Sequence, residues 1–207
     1  MKKSIELIKN KNILGAYFDA LYYAGRDIET TLKGSRKIEA SKAFYMVAGL
    51  IKRIRQKNKK IIFIGNGGSA SIASHQAVDY WKNGHIKAIA FNDSSLLTCI
   101  SNDYGYENVF STPMEKFADK GDLLFAISSS GGSKNILNGV KAAKKKRCFI
   151  VTLSGFSSKN PLRKSGDINF YVRSDSYGIV EITHLAICHS ILDYILLRRT
   201  PRSLGRG

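Results

Sequence analysis

Cysteine is scarce in this sequence. The 207 residues include three, Cys99, Cys148 and Cys188, each inside an apolar stretch and none near another, which excludes a disulfide framework and a CxxC metal or redox motif. Acidic residues are short as well: 16 Asp plus Glu stand against 33 Lys plus Arg, a formal net charge of +17. A long uninterrupted apolar run is also missing. The Met-Lys-Lys start passes into Glu6, Lys9 and Lys11 instead of an apolar core, so no signal peptide is read there. The longest candidate, Ile179 to Leu197, is interrupted by Glu181, His184, His189 and Asp193, which a lipid-spanning helix rarely tolerates. The expectation is a cytoplasmic protein with no membrane segment.

What is present is a chain 43% hydrophobic, enough for one ordinary domain with a helical extension. Its positive excess has three readings: a nucleic-acid surface, an anionic small-molecule substrate, or a lysine-rich background. The basic residues gather at expected helix ends, Lys52 to Lys60, Lys141 to Arg147 and Arg198 to Arg206, where they complement the helix dipole. They do not form one aromatic-interleaved patch. Nucleic acid is therefore not the expected partner.

The first sixty residues read as two helices. Leu14, Tyr17, Phe18, Leu21 and Ile28 fall on one face, and after a Gly34-Ser35 break Ile38, Phe44, Val47, Ile51 and Ile54 repeat the pattern. From Lys60 short apolar runs alternate with small-residue turns and amphipathic segments. Ile61–Ile64, Ala88–Phe91, Leu123–Ile127, Cys148–Leu153 and Ile168–Val172 read as strands; Ala70–Trp81, Asn135–Lys146 and Gly178–Leu197 read as helices. Ser154 to Asp167 reads as a loop and Arg202 to Gly207 as a frayed tail. This alternation predicts an α/β fold, a doubly wound, mostly parallel five-stranded sheet with helices on both faces, preceded by an N-terminal helical pair.

Two of these strands end in similar turns, Gly65-Asn66-Gly67-Gly68-Ser69 and Ser128-Ser129-Ser130-Gly131-Gly132-Ser133, each leading into a helix. In an open parallel sheet, ligands bind beyond the carboxyl ends of strands. Glycines let backbone N–H groups approach an anion, a helix N-terminus adds donors, and serine hydroxyls add more. Neither turn is a Walker A loop or a GxGxxG dinucleotide motif, which leaves a small phosphorylated molecule as the expected ligand.

A carboxylate and histidine set accompanies the turns. His75 and Asp79 are four apart in the first of these helices and share a face. Glu181 and His184 are three apart in the last helix. His189 lies eight after Glu181, about 80° round the helix and about 12 Å along it. Such a set suits either a zinc ion or acid/base proton transfer beside a carbonyl. The axial gap argues against one chain delivering both Glu181 and His189 to one ion, and a site assembled between subunits would relieve it. His184 and His85 read as packed, hydrogen-bonded histidines.

From about Ile61 to Leu197 the chain resembles the bacterial phosphoheptose isomerases, which interconvert sedoheptulose 7-phosphate and glycero-manno-heptose 7-phosphate on the sugar isomerase (SIS) fold. The motifs that carry the resemblance are the two turns, His75 at its offset from the first, Ser101-Asn102-Asp103-Tyr104-Gly105-Tyr106, and Glu181 to His189. The resemblance implies residues 59–199 as the SIS domain, with 1–58 as helices packing on it and on a subunit interface and 200–207 as a basic tail. It implies that Asn66, Gly67, Gly68 and Ser69 hold the sugar, that Asn102 and Asp103 border the site, and that Ser128, Ser129, Ser130 and Ser133 bind phosphate. His75 and His189 fall where the family has zinc ligands, and His189 also where it has a proton-transfer residue. Homotetramers with sites at subunit contacts are implied too.

Two positions depart from the family. Asp79 stands where a longer glutamate serves as base and metal ligand, and Glu181 where a glutamine ligand is usual. About five residues are missing between Trp81 and Ala88. The expected catalytic set is thus Asp79, Glu181 and His189, with Glu181 also touching substrate, and the expected zinc set His75, Asp79, Glu181 and His189. The expected activity is aldose–ketose isomerisation through an enediolate. Two alternatives are an isomerase of another sugar phosphate and a non-catalytic phosphosugar binder acting through a protein partner, like the replication-initiator-associating protein of the same fold.

Overall fold

The structure, a computed structural model, describes residues 12–198. Helix α1 (Ile13–Arg26) leads into a hairpin, β1 (Glu29–Leu32) and β2 (Arg36–Ile38), and then α2 (Ala40–Gln56). Alternation follows: β3 (Ile61–Gly65), α3 (Gly68–Lys82), β4 (Ala88–Ala90), α4 (Ser94–Tyr104), α5 (Ser111–Phe117), β5 (Leu123–Ser128), α6 (Lys134–Lys145), β6 (Phe149–Ser154), β7 (Ile168–Tyr171) and α7 (Tyr177–Leu197).

The five expected strands are all present and mutually parallel, but the sheet has seven, ordered β2-β1-β7-β6-β5-β3-β4. The extra two correct the reading of the first sixty residues as two helices separated only by a Gly34-Ser35 break. β1 pairs antiparallel with both β2 and β7, so residues 29–38 complete the sheet edge, and Ile28 lies beyond the end of α1. Adjacent Thr30 and Thr31 favour a strand, and the three-residue connection turns through Gly34 and Ser35 at φ 78° and 63°. α4 and α5, which the periodicity does not single out, lie between β4 and β5. The basic tail expected at 200–207 falls outside the described residues, as do Glu6, Lys9 and Lys11.

The central strands β3 and β5 are buried throughout. Their alternate side chains feed two cores. Ile61, Phe63, Leu123, Phe125 and Ile127 meet α2, α3 and α7 on one face, while Ile62, Ile64, Leu124 and Ala126 meet α5 and α6 on the other. α7 is the one helix among the described residues long and apolar enough to cross a membrane. It lies against the sheet instead, with Ile179, Val180, Thr183, Ile187, Cys188, Ile191, Leu192 and Ile195 buried.

The strand order fixes the position of a ligand site. From β3 the chain moves outward to β4, then returns across β3 to start β5, so the winding direction reverses between these two neighbours. A crevice opens at the carboxyl ends of strands where this reversal occurs. The two serine-glycine turns follow these two strands.

Candidate active site

After β3 the chain reverses through Asn66 and Gly67. Gly67 sits at φ 53°, ψ −125°, a conformation open to glycine and costly for any residue with a Cβ. This lets α3 start at once: the Ala70 and Ser71 N–H groups donate to the Gly67 carbonyl, the Gly68 and Ser69 N–H groups have no earlier turn to bond to, and Gly67 supplies no side-chain cap. α6 likewise begins after Ser133 without a side-chain cap. In the serine turn, Ser128 Oγ accepts from the Gly131 N–H at 3.1 Å and Ser130 Oγ from the Gly132 N–H at 3.3 Å. The Ser129 hydroxyl is buried with no hydrogen-bond partner among the described residues.

The turns line one open cavity of about 450 Å³ together with Tyr177 and Glu181 from the start of α7. Of the predicted substrate set, Asn66, Gly67, Gly68, Ser69, Ser128, Ser129, Ser130, Ser133 and Glu181 all line it. Glu181 presses against Gly68, where a Cβ would collide with its carboxylate. Burial raises the Glu181 carboxyl above its ordinary range. Asn102 and Asp103 are exposed on α4, bonded to each other at 2.8 Å, and do not line the cavity.

A second cluster lies farther along the same two helices. Asp79 Oδ2 is 3.2 Å from His75 Nε2 and 3.6 Å from His189 Nδ1, and the two imidazole rings meet edge to face at 5.3 Å between centroids. The shorter carboxylate therefore still reaches both histidines. One ligand atom from each of the three lies within 4.8 Å of the others, a spread that a small inward shift converts to the roughly 3.3 Å edges of a tetrahedral zinc site, given bonds of about 2.0–2.2 Å. Glu181 is not in this group. It stands two turns earlier on α7, so the expected four-ligand set is three in one chain, for the helical-rise reason that the spacing already gave.

The remaining histidines play other parts. His184 is fully buried, with Nε2 3.2 Å from the Ser154 carbonyl, and burial pushes its pKa down to about 4. His85, expected to be packed, is instead exposed in the turn after α3.

Three residues at the site escape the sequence reading. Tyr177 precedes Glu181 by four positions, one helical turn, so it shares the cavity-facing side; its ring packs edge to face on Phe156. Asn135, in the first turn of α6, exchanges two 2.9 Å hydrogen bonds with Asn66. The Tyr106 hydroxyl donates to Asn66 Oδ1 at 3.2 Å, so the Ser101–Tyr106 motif touches the site through its last residue.

The SIS domain family model matches residues 26–155. The phosphoheptose isomerase of Sulfurimonas denitrificans is 39% identical over 155 residues, 72% of this chain and 79% of that protein. The phosphoheptose isomerase of Helicobacter hepaticus is 34% identical over 171 residues, 79% of this chain and 87% of its own. Among solved structures, the phosphoheptose isomerase of Neisseria gonorrhoeae superposes with a TM-score of 0.76 at 28% identity, covering 88% of this chain and 96% of that one.

Proposed function

The chain belongs to the phosphoheptose isomerases of the SIS domain family, and from that membership we propose that it interconverts sedoheptulose 7-phosphate and D-glycero-D-manno-heptose 7-phosphate for heptose and surface-polysaccharide precursor synthesis. The observation that carries the reading is the single cavity in which both serine-glycine turns and the Glu181 carboxylate converge. Serine hydroxyls and helix-start amides supply donors for a phosphate, and a carboxylate beside them supplies a base.

Ser128, Ser129, Ser130 and Ser133 hold the phosphate, and Asn66 to Ser69 line the path of the open-chain sugar. In the ketose-to-aldose direction Glu181 takes a proton from C1. The C1–H electron pair becomes the C1–C2 double bond, and the C2 carbonyl pair moves onto its oxygen to form the enediolate. The hydroxyl proton on O1 leaves as a proton is gained on O2, a transfer suited to the His189 imidazole, and the proton held by Glu181 returns to C2. The net change moves two hydrogens and leaves the redox balance of the substrate intact. Both groups act on C1 and C2, so the two-turn offset between Glu181 and His189 on one helix is relieved when a neighbouring copy contributes one of them.

His75, Asp79 and His189 would hold a zinc ion, and their donor set and spacing fit one. Such an ion supplies Lewis-acid polarisation of a carbonyl or enediolate oxygen. A homotetramer is part of the proposal: exposed Leu14, Phe18, Tyr22 and Tyr23 on α1 offer an apolar face for a neighbouring copy.

A coupled assay across sedoheptulose, fructose and shorter ketose phosphates, with and without added zinc, tests the reading. Turnover of the seven-carbon substrate with the greatest kcat/KM is expected. Absence of conversion of every ketose phosphate would overturn it in favour of a binding role.

A further inference from the structure

Asn66 has its hydrogen-bonding capacity almost fully used. The orientation of its partner is set by the backbone. The Ile136 N–H, which can only donate, gives its hydrogen to Asn135 Oδ1 at 2.9 Å. That assigns oxygen and nitrogen on the Asn135 amide, and the reciprocal pair then assigns Asn66: its Nδ2 donates to Asn135 Oδ1, and its Oδ1 accepts from Asn135 Nδ2. Tyr106 donates to the same Oδ1. An amide oxygen has two lone pairs and the NH₂ group two donors. Both acceptor positions and one donor are thus spent, and one N–H is left without a partner among the described residues, on a residue that lines the cavity.

We propose that Asn135 and Tyr106 are positioning residues that fix Asn66 as a donor only, so that its remaining N–H binds the substrate oxygen that gains negative charge at C2. The inference rests on the isomerase reading above. Asn66 and Gly68 belong to one turn, and Glu181 lies against Gly68, so Asn66 and the carboxylate line the same cavity. A donor fixed before the substrate arrives costs no reorganisation when charge develops. Without the two donors on Oδ1, the Asn66 amide is free to rotate by 180° and present its carbonyl, which repels the developing charge.

Steady-state kinetics with sedoheptulose 7-phosphate on Asn66→Ala, Asn66→Asp, Asn135→Asp, Tyr106→Phe and the pairs built on Asn66→Ala tests the proposal. Asn135→Asp keeps the acceptor for Ile136 and removes the donor to Asn66. Each positioning variant is expected to lower kcat by about tenfold, the size of one hydrogen bond, with KM changed less than kcat. Asn66→Asp is expected to fall below Asn66→Ala, because it replaces a donor by a charge of the wrong sign. In the Asn66→Ala background the other two substitutions are expected to cost nothing more. Equal losses with and without Asn66, or Asn66→Asp more active than Asn66→Ala, would overturn the assignment. If the wild type turns over no ketose phosphate, the isomerase reading fails separately. The same variants are then compared by calorimetric binding of sedoheptulose 7-phosphate, where Asn66→Asp binding more weakly than Asn66→Ala sustains the donor assignment and the reverse order removes it.

Discussion

The carboxylate of Glu181 lies against the Cα of Gly68 with no room between them for a methyl group. Gly68 has no left-handed backbone to protect, so an alanine there is acceptable to the helix and objectionable to Glu181 alone. Gly68→Ala is expected to keep the circular dichroism spectrum and a thermal midpoint close to that of the wild type. The displaced carboxylate is expected to lower kcat by about 10²-fold, since a misplacement of an ångström costs that much. Full activity in this variant would mean that the contact does not matter.

The two carboxylates of the site sit in different surroundings, and a pH profile separates them. Burial raises the Glu181 carboxyl, with no cation to counter it, whereas Asp79 lies between two imidazoles. A base works only when ionised. Activity that depends on Glu181 therefore falls as pH drops through its raised pKa, and the acidic limb of kcat/KM lies above the ordinary value of 4.5. Glu181→Gln is expected to cost about 10²–10⁴ in kcat and to remove that limb. Asp79→Asn is expected to retain it. The opposite result would assign the base to Asp79.

Metal binding should follow the three-residue cluster. One zinc per chain is expected by elemental analysis after exhaustive dialysis, with a rise in thermal midpoint on adding zinc to chelator-treated protein. His75→Ala and His189→Ala should each abolish both effects, and Glu181→Gln neither, because it stands outside the group. Zinc retained at full stoichiometry in the double histidine variant would point to a different site.

One carboxylate ties the hairpin to the loop after β6 and to the segment that follows β7. Glu29 on β1 bonds Arg173 and Arg163, and these two guanidiniums hold its pKa down to about 2. A depressed carboxylate contributes stability above its unfolded pKa, near 4.5, and loses it as pH falls toward 2. Glu29→Gln is expected to lower stability at neutral pH by about 1–2 kcal/mol and to flatten the acid side of a urea-midpoint curve below pH 4.5. An unchanged curve would show the pair to be energetically idle.

The five parallel strands and the two turns are legible in the sequence because buried strands read as apolar runs and small residues punctuate them. Their convergence in one cavity follows from strand order, which the pattern of βαβ units makes plausible and the pairing of β3 with β5 establishes. The hairpin at Glu29–Ile38 is not legible: its strands are four and three residues long, too short to display a period of two. Helical spacing foretells the His75–Asp79 neighbourhood and the separation of Glu181 from His189. It says nothing of Asn135 or Tyr106, which meet Asn66 across 69 and 40 positions of chain. Contacts of that range are set by topology.

His184 supplies the last test. The imidazole is fully buried, its Nε2 faces the Ser154 carbonyl, its Nδ1 has no partner among the described residues, and burial pushes its pKa down from 6.5 to about 4. The neutral ring is the form that the fold accepts, with Nε2–H donating to the carbonyl. In the unfolded chain the same ring takes up a proton as pH falls below 6.5, so the unfolded state binds more protons and gains on the native one. Stability from this residue is thus complete above 6.5 and declines as pH falls toward 4, by roughly 3 kcal/mol in all at about 1.4 kcal/mol per pKa unit. This window lies above that of Glu29, and urea midpoints measured between pH 7.5 and 4 separate the two. His184→Gln retains an N–H for the Ser154 carbonyl and has no proton to gain. It should lower the midpoint at pH 7.5 and flatten the slope between 6.5 and 4, while Glu29→Gln leaves that slope intact. A slope unchanged in His184→Gln would place the titrating group elsewhere.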